Sequence, residues 1–171
     1  MPRSPLPALP QRAQRNSALY RSLTRTLREY NRRLLGVVRE RGFPEFQPSF
    51  PTLLSNLDLA GTPIGVLARR GGVTRQAAGQ LLREIERCGF ATRSLSPDDA
   101  RITIVQFTPL GKRLLTTIVE AVLEIEGEYA RLLQAGEFTR VRAGLRTIAD
   151  AIDPEGSFGV GDLPELTKRK R

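Results

Sequence analysis

The sequence predicts a mainly α fold with one small β hairpin, on three observations. Leucines and valines recur at three- and four-residue steps through several long segments, the spacing of amphipathic helices. Gly71-Gly72 and Gly89 punctuate the middle of the chain, where two short helices would end. Two β-rich runs, Phe90 to Leu95 and Ile102 to Phe107, flank a polar tip from Ser96 to Arg101. Short helix, glycine turn, second helix and hairpin, in that order, make a helix-turn-helix followed by a β wing. That arrangement places one helix in a DNA major groove.

The elements follow in order. Residues 1–15, with four prolines among the first ten, predict a disordered basic lead. A helix is expected from Ser17 to Arg41, with Leu19, Leu23, Leu27, Tyr30, Leu34 and Val37 or Val38 as its apolar stripe. Arg21, Arg25, Arg28 and Arg32 form a second stripe, read either as a solvated face or as a phosphate contact. After the breakers Gly42, Pro44 and Pro48, a second helix is expected with Ser49 as N-cap and Pro51 in its first turn, ending by Gly61. Thr62-Pro63 reads as cap plus first-turn proline for a short helix to Arg70.

The next helix is expected from Val73 and Thr74 to Cys88, with Ala78, Leu81, Leu82, Ile85 and Cys88 facing inward. Three glycines nearby, at 71, 72 and 79, leave its starting residue open. Thr108-Pro109 repeats the cap-plus-proline start for a long helix from Leu110 to about Leu133. A last helix, about Glu137 to Ile152, carries Phe138, Val141, Leu145, Ile148 and Ile152 on one stripe, and residues 153–171 predict a flexible tail.

Composition narrows the function. With 27 basic residues against 18 acidic ones, the net charge of +9 points to a polyanionic partner. Residues 17–41 hold seven arginines against two acids, and residues 62–107 seven arginines against four, whereas everything after 107 sums to zero. Only Lys112, Lys168 and Lys170 are lysines. An arginine bias suits bidentate phosphate or guanine contact, and GC-rich codon usage produces it equally well. The chain has no histidine and one cysteine, so Ser-His and Cys-His catalysis is excluded and no metal site is expected. No phosphate-binding glycine loop occurs either. The expectation is no enzyme, no cofactor and no metal. No secretory leader or membrane-length apolar run is visible, which makes the cytoplasm the expected compartment. Cys88 reads as a small buried hydrophobe.

The second helix of the pair would carry recognition. With the apolar residues inward, Arg75, Gln76, Gly79, Gln80 and Arg83 share the outer face. Arg75 suits guanine O6 and N7, Gln76 and Gln80 suit adenine, and Gly79 leaves room for close approach. Thr74 would cap the helix beside N–H groups that suit a phosphate. The competing reading is an ordinary amphipathic surface helix.

The hairpin sharpens this. Leu67-Ala68, Gly72-Val73-Thr74, Gly89-Phe90, Pro97-Asp98-Asp99-Ala100-Arg101 and Phe107-Thr108-Pro109-Leu110-Gly111 resemble the multiple antibiotic resistance regulator (MarR) family of winged helix-turn-helix transcription factors. Phe107 stands where the family has leucine. The pattern spans about residues 17–152, with its specific motifs in 67–111. The resemblance implies one domain over 16–152, with 62–107 as DNA-binding core and 17–41 and 110–152 as dimerisation helices. It implies that Asp99 braces the wing and that Arg101 enters the minor groove, where a narrow A·T groove attracts arginine. For Asp98 and Asp99, plain turn chemistry is the alternative. Arg93, on the first wing strand, is a phosphate candidate. The implied function is a homodimeric, sequence-specific regulator on a palindromic double-stranded DNA operator, more a repressor than an activator, answering a small aromatic or anionic effector. Its rivals are a nonspecific architectural DNA binder and a protein-interaction module. A histidine-based zinc sensor and a first-helix cysteine peroxide sensor are both disfavoured by composition.

Overall fold

The computed structural model describes residues 19–97 and 99–152. The expectations for residues 1–15, for Asp98 and for residues 153–171 lie outside them.

Helix α1 runs Leu19–Glu40, α2 Pro51–Leu54, strand β1 Thr62–Pro63, α3 Ile64–Arg70 and α4 Arg75–Arg87. The wing strands β2 Ala91–Leu95 and β3 Thr103–Phe107 follow, then α5 Pro109–Arg131 and α6 Glu137–Ile152. The fold is mainly α with a small antiparallel sheet, as the periodicities predict. Both predicted threonine caps on the long helices form: Thr74 Oγ1 accepts from Ala77 N at 3.1 Å, and Thr108 Oγ1 accepts from Gly111 N at 2.9 Å.

Two local readings change. Thr62-Pro63 is a strand rather than a side-chain cap: Thr62 pairs with Val105 and Pro63 with Ile104, giving the sheet order β1-β3-β2. The Thr62 hydroxyl is turned away to Asp58, donating to Oδ2 at 2.9 Å. Pro63 is tolerated because it lies on the sheet edge. The second helix is also shorter than expected and begins after Phe50, not Ser49. Its end follows from Ser55 and Asn56, whose side chains donate back to the carbonyls of Pro51 and Thr52.

The core lies where the second half of α1, the 43–57 segment, α3, α4, the sheet and the first part of α5 meet. Phe90 stands at its centre, 6.0 Å from the Phe43 ring and 6.1 Å from the Phe50 ring. From α4, Ala78, Leu82 and Ile85 are buried and Leu81 is half-buried, as is Cys88, which caps the helix end rather than lying within it. Burial pushes the Cys88 thiol above its ordinary value, as suits a packing residue.

The turn between α3 and α4 uses its two glycines differently. Gly72 takes φ of +62°, the left-handed conformation that other residues disfavour. Gly71 is helical, but a Cβ on it would lie 2.7 Å from the Thr52 carbonyl oxygen. The pair thus lets α3 stop close against α2.

Helix α1 packs along α5. Arg33 pairs with Glu128, Arg41 with Glu124, and the Tyr30 and Tyr129 rings meet edge-on at 6.1 Å. Burial, with Glu126 and Tyr129 nearby, pushes the Tyr30 hydroxyl up to about 12. Beyond this contact the packing thins. Leu19, Leu23 and Leu27 are exposed, and α6 buries no residue at all.

Candidate nucleic-acid interface

Helix α4 is held by its inner face, which leaves its opposite face and N-terminus open. Thr74 satisfies one of the N–H groups of the first turn through its own hydroxyl. Gln76, Gln80 and Arg83 are exposed, and a Cβ at Gly79 would meet nothing nearer than Arg83 Nη1 at 3.9 Å. Gln80, Arg83, Glu84 and Arg87 line a shallow open recess. Arg87 continues the polar face and was not among the predicted residues, although its spacing of four from Arg83 carries the signal.

Thr74→Ala tests how firmly the start of α4 is built. Losing the cap should cost about 1 kcal/mol of stability, read as a fall in the urea midpoint at unchanged m-value. No change in the midpoint would mean that Ala77 N–H finds water at no loss.

Arg75 is also exposed, but its guanidinium is folded back onto α3 beside Gly65 rather than lying among the glutamines. Arg93, the phosphate candidate, is engaged in the free chain. It donates to Glu86 from Nε at 2.9 Å and from Nη2 at 2.6 Å. This bidentate pair links the last turn of α4 to the first wing strand. Glu86 was missing from the sequence reading, because nothing local marks a carboxylate seven residues before an arginine as its partner.

At the wing tip Asp99 and Arg101 form a closed pair. Asp99 Oδ1 accepts from Arg101 N at 2.9 Å and Nε at 3.1 Å, and Oδ2 accepts from Nη2 at 3.2 Å. Those bonds hold the Asp99 carboxyl below the usual carboxylate range. The Asp99 carbonyl also accepts from Ile102 N at 2.9 Å, and Ser96 N donates to the Ile102 carbonyl at 2.8 Å. Asp99 is thus both the turn residue and the arginine's partner. The Arg101 side chain stays 91% exposed, so it is oriented without being covered.

The basic stripe of α1 divides. Arg32 turns to Glu29 at 2.6 Å, an exposed local pair that holds α1's own surface. Arg25 and Arg28, with Tyr20, Arg21, Ser22 and Thr24, line an open recess on the first turns of that helix.

A cap-started helix with an open polar face, a wing pinned to its end, and an exposed arginine at the wing tip form one continuous surface. Residues 51–102, which span α2 to the wing tip, match the model of the MarR family. That match places the likeness to the MarR family on the helix pair and wing, about a third of the chain. An uncharacterised protein of Mycobacterium tuberculosis is 27% identical over 103 residues, covering 60% of this chain and 72% of that one. Among solved structures, the transcriptional repressor CouR bound to a 23-mer DNA duplex superposes with a TM-score of 0.66 at 22% identity, covering 83% of this chain and 99% of that one. The transcriptional regulator BldR of Sulfolobus solfataricus gives 0.63 at 20% identity, with the same coverage of 83% and 99%. At these identities the structural likeness establishes the winged-helix fold. A MarR-family transcription regulator is among the solved structures that share this fold, with a TM-score of 0.63 at 20% identity. Among the described residues, no helix is long and apolar enough to cross a membrane.

Proposed function

We propose that this chain is a homodimeric repressor of the MarR family that reads a palindromic operator with α4 and clamps the flanking minor groove with its wing. The observation that carries this reading is the pairing of an open polar α4 face, Gln76 to Arg83, with an exposed, carboxylate-braced Arg101 on a wing tied to the same helix. Phosphate-only binding has no use for outward glutamines at the groove-facing end of a helix. The structurally similar CouR is bound to a DNA duplex, which supports DNA as the partner of this fold. Dimerisation is supported by the apolar residues that the monomer leaves open on α1 and α6. Release by a small aromatic or anionic effector follows from the family resemblance, and a ligand screen against the DNA complex tests it.

The deciding experiment selects bound duplexes from a random pool and measures their affinity against salt. The expected result is an inverted-repeat site with half-sites a helical turn or more apart and a steep salt slope. Arg101→Ala should weaken binding several-fold, mostly through the A·T-rich flanks, with the central base preferences kept. Enrichment of no sequence would overturn the reading in favour of architectural binding. Absence of binding even at low salt would favour a protein-interaction module.

A further inference from the structure

Gly65 lies in the first turn of α3, and the space left by its missing side chain is filled. A Cβ there would lie 2.9 Å from Arg75 Nη2, 3.3 Å from Nε and 3.4 Å from Cζ. The three nearest atoms all belong to Arg75. The contrast with other tight glycines is informative. At Gly71 and Gly111 the intruding Cβ would strike a backbone carbonyl, so the fold itself excludes a side chain there. Gly65 has no left-handed φ and meets no backbone atom among its nearest neighbours. Glycine is a poor helix former, and a Cβ at the helical glycines 36, 127 and 144 would meet nothing within 4 Å, whereas at Gly65 the hollow holds a side chain from another helix.

We propose that Gly65 is a positioning residue for recognition, its bare Cα forming a notch that seats the Arg75 guanidinium where it meets DNA. The proposal rests on the reading that this surface binds DNA and that Arg75 takes part. Arg75 is the first residue of α4, so its side chain starts at the end of the helix that faces the groove. A long side chain held in one place loses less freedom on binding, and a planar guanidinium discriminates bases only when its angle is set. The notch holds the group by shape. Among the described residues no carboxylate pairs with it. This differs from Arg93 and Arg101, each of which is oriented by a carboxylate.

The test compares Gly65→Ala, Arg75→Ala and the double variant in the full chain, by binding to random duplex pools and by thermal unfolding. The added methyl meets only the far end of a flexible side chain, so Gly65→Ala should melt at or above the temperature of the parent protein. It should lose roughly 5- to 10-fold of the discrimination at one base position per half-site, the same position that Arg75→Ala relaxes. In the Arg75→Ala background the glycine substitution should change nothing further.

Unaltered preference in Gly65→Ala overturns the proposal, as does an equal change with and without Arg75. A melting temperature lowered by several degrees also overturns it, because the glycine would then serve the fold. If the parent protein itself shows no sequence preference, the proposed function fails and takes this inference with it. If the parent reads sequence but Arg75→Ala does not alter it, only this inference fails.

Discussion

Gly111→Ala should lower the thermal midpoint by roughly 6–12 °C, corresponding to about 3 kcal/mol. Helix propensity argues the opposite sign, since alanine inside a helix is worth up to about 1 kcal/mol over glycine. Sterics win because of what stands opposite. A Cβ at Gly111 would fall on the Phe90 carbonyl oxygen, 2.8 Å from its carbon, and would press on the Phe107 ring at 3.1 Å. That carbonyl is not free to move. It accepts from Thr108 N at 3.1 Å, and the Phe90 side chain is buried at the centre of the core. The first turn of α5, the end of α4 and both wing strands converge on this one point.

Separating the two effects needs a control on the same helix. A Cβ at Gly127 meets nothing within 4 Å, so Gly127→Ala should be neutral or stabilising by up to about 1 kcal/mol. Equal midpoints for the two alanine variants would show that α5 and Phe90 are not locked together. Because Phe90 links α4 to the wing, a shifted α5 should also misalign the two DNA-facing parts. Loss of affinity is therefore expected even below the melting temperature.

A double variant, Leu145→Asp with Ile148→Asp, should convert the proposed dimer to a monomer by sedimentation. Operator affinity should fall on the order of a hundredfold or more, since two half-sites on one DNA then no longer share a single binder. Leu145 is 43% exposed and Ile148 55% exposed in the single chain, so the monomer core loses nothing when they change. Helix α6 has 16 residues, and a helix of that length holds marginally in water without packing. Its apolar stripe of Val141, Leu145, Ile148 and Ile152 is unburied within the chain, as are Leu19, Leu23 and Leu27 on α1. A second copy burying both stripes accounts for residues that a monomer has no reason to arrange at helical spacing. A parent protein that sediments as a monomer at micromolar concentration would remove the dimer, and a dimeric double variant would place the interface elsewhere.

The readable parts of the fold were those controlled within one or two helical turns. Thr74 and Thr108 cap because a hydroxyl three residues before a backbone N–H needs only local geometry. The inner face of α4 follows from the spacing of Ala78, Leu82 and Ile85 alone. The 41–50 segment was opaque for the converse reason. It has no period, so nothing beyond residue type shows that Phe43, Phe46 and Phe50 are all buried. Thr62-Pro63 was misread because a threonine before a proline is equally at home at a cap or on a sheet edge. The choice was made by a strand some forty residues away.

The surface from Thr74 to Arg101 divides along the same line. The sequence by itself determined that a polar helix face and a wing tip with Asp99 and Arg101 exist, since periodicity and turn chemistry act over a few residues. Tertiary structure alone decided what orients each arginine. Arg93 is turned to Glu86 across the helix–wing junction, while Arg75 is folded onto a notch at Gly65, ten residues earlier on another helix. Such placements depend on how separate elements pack, and a long, flexible guanidinium takes whichever carboxylate or hollow that packing brings within reach.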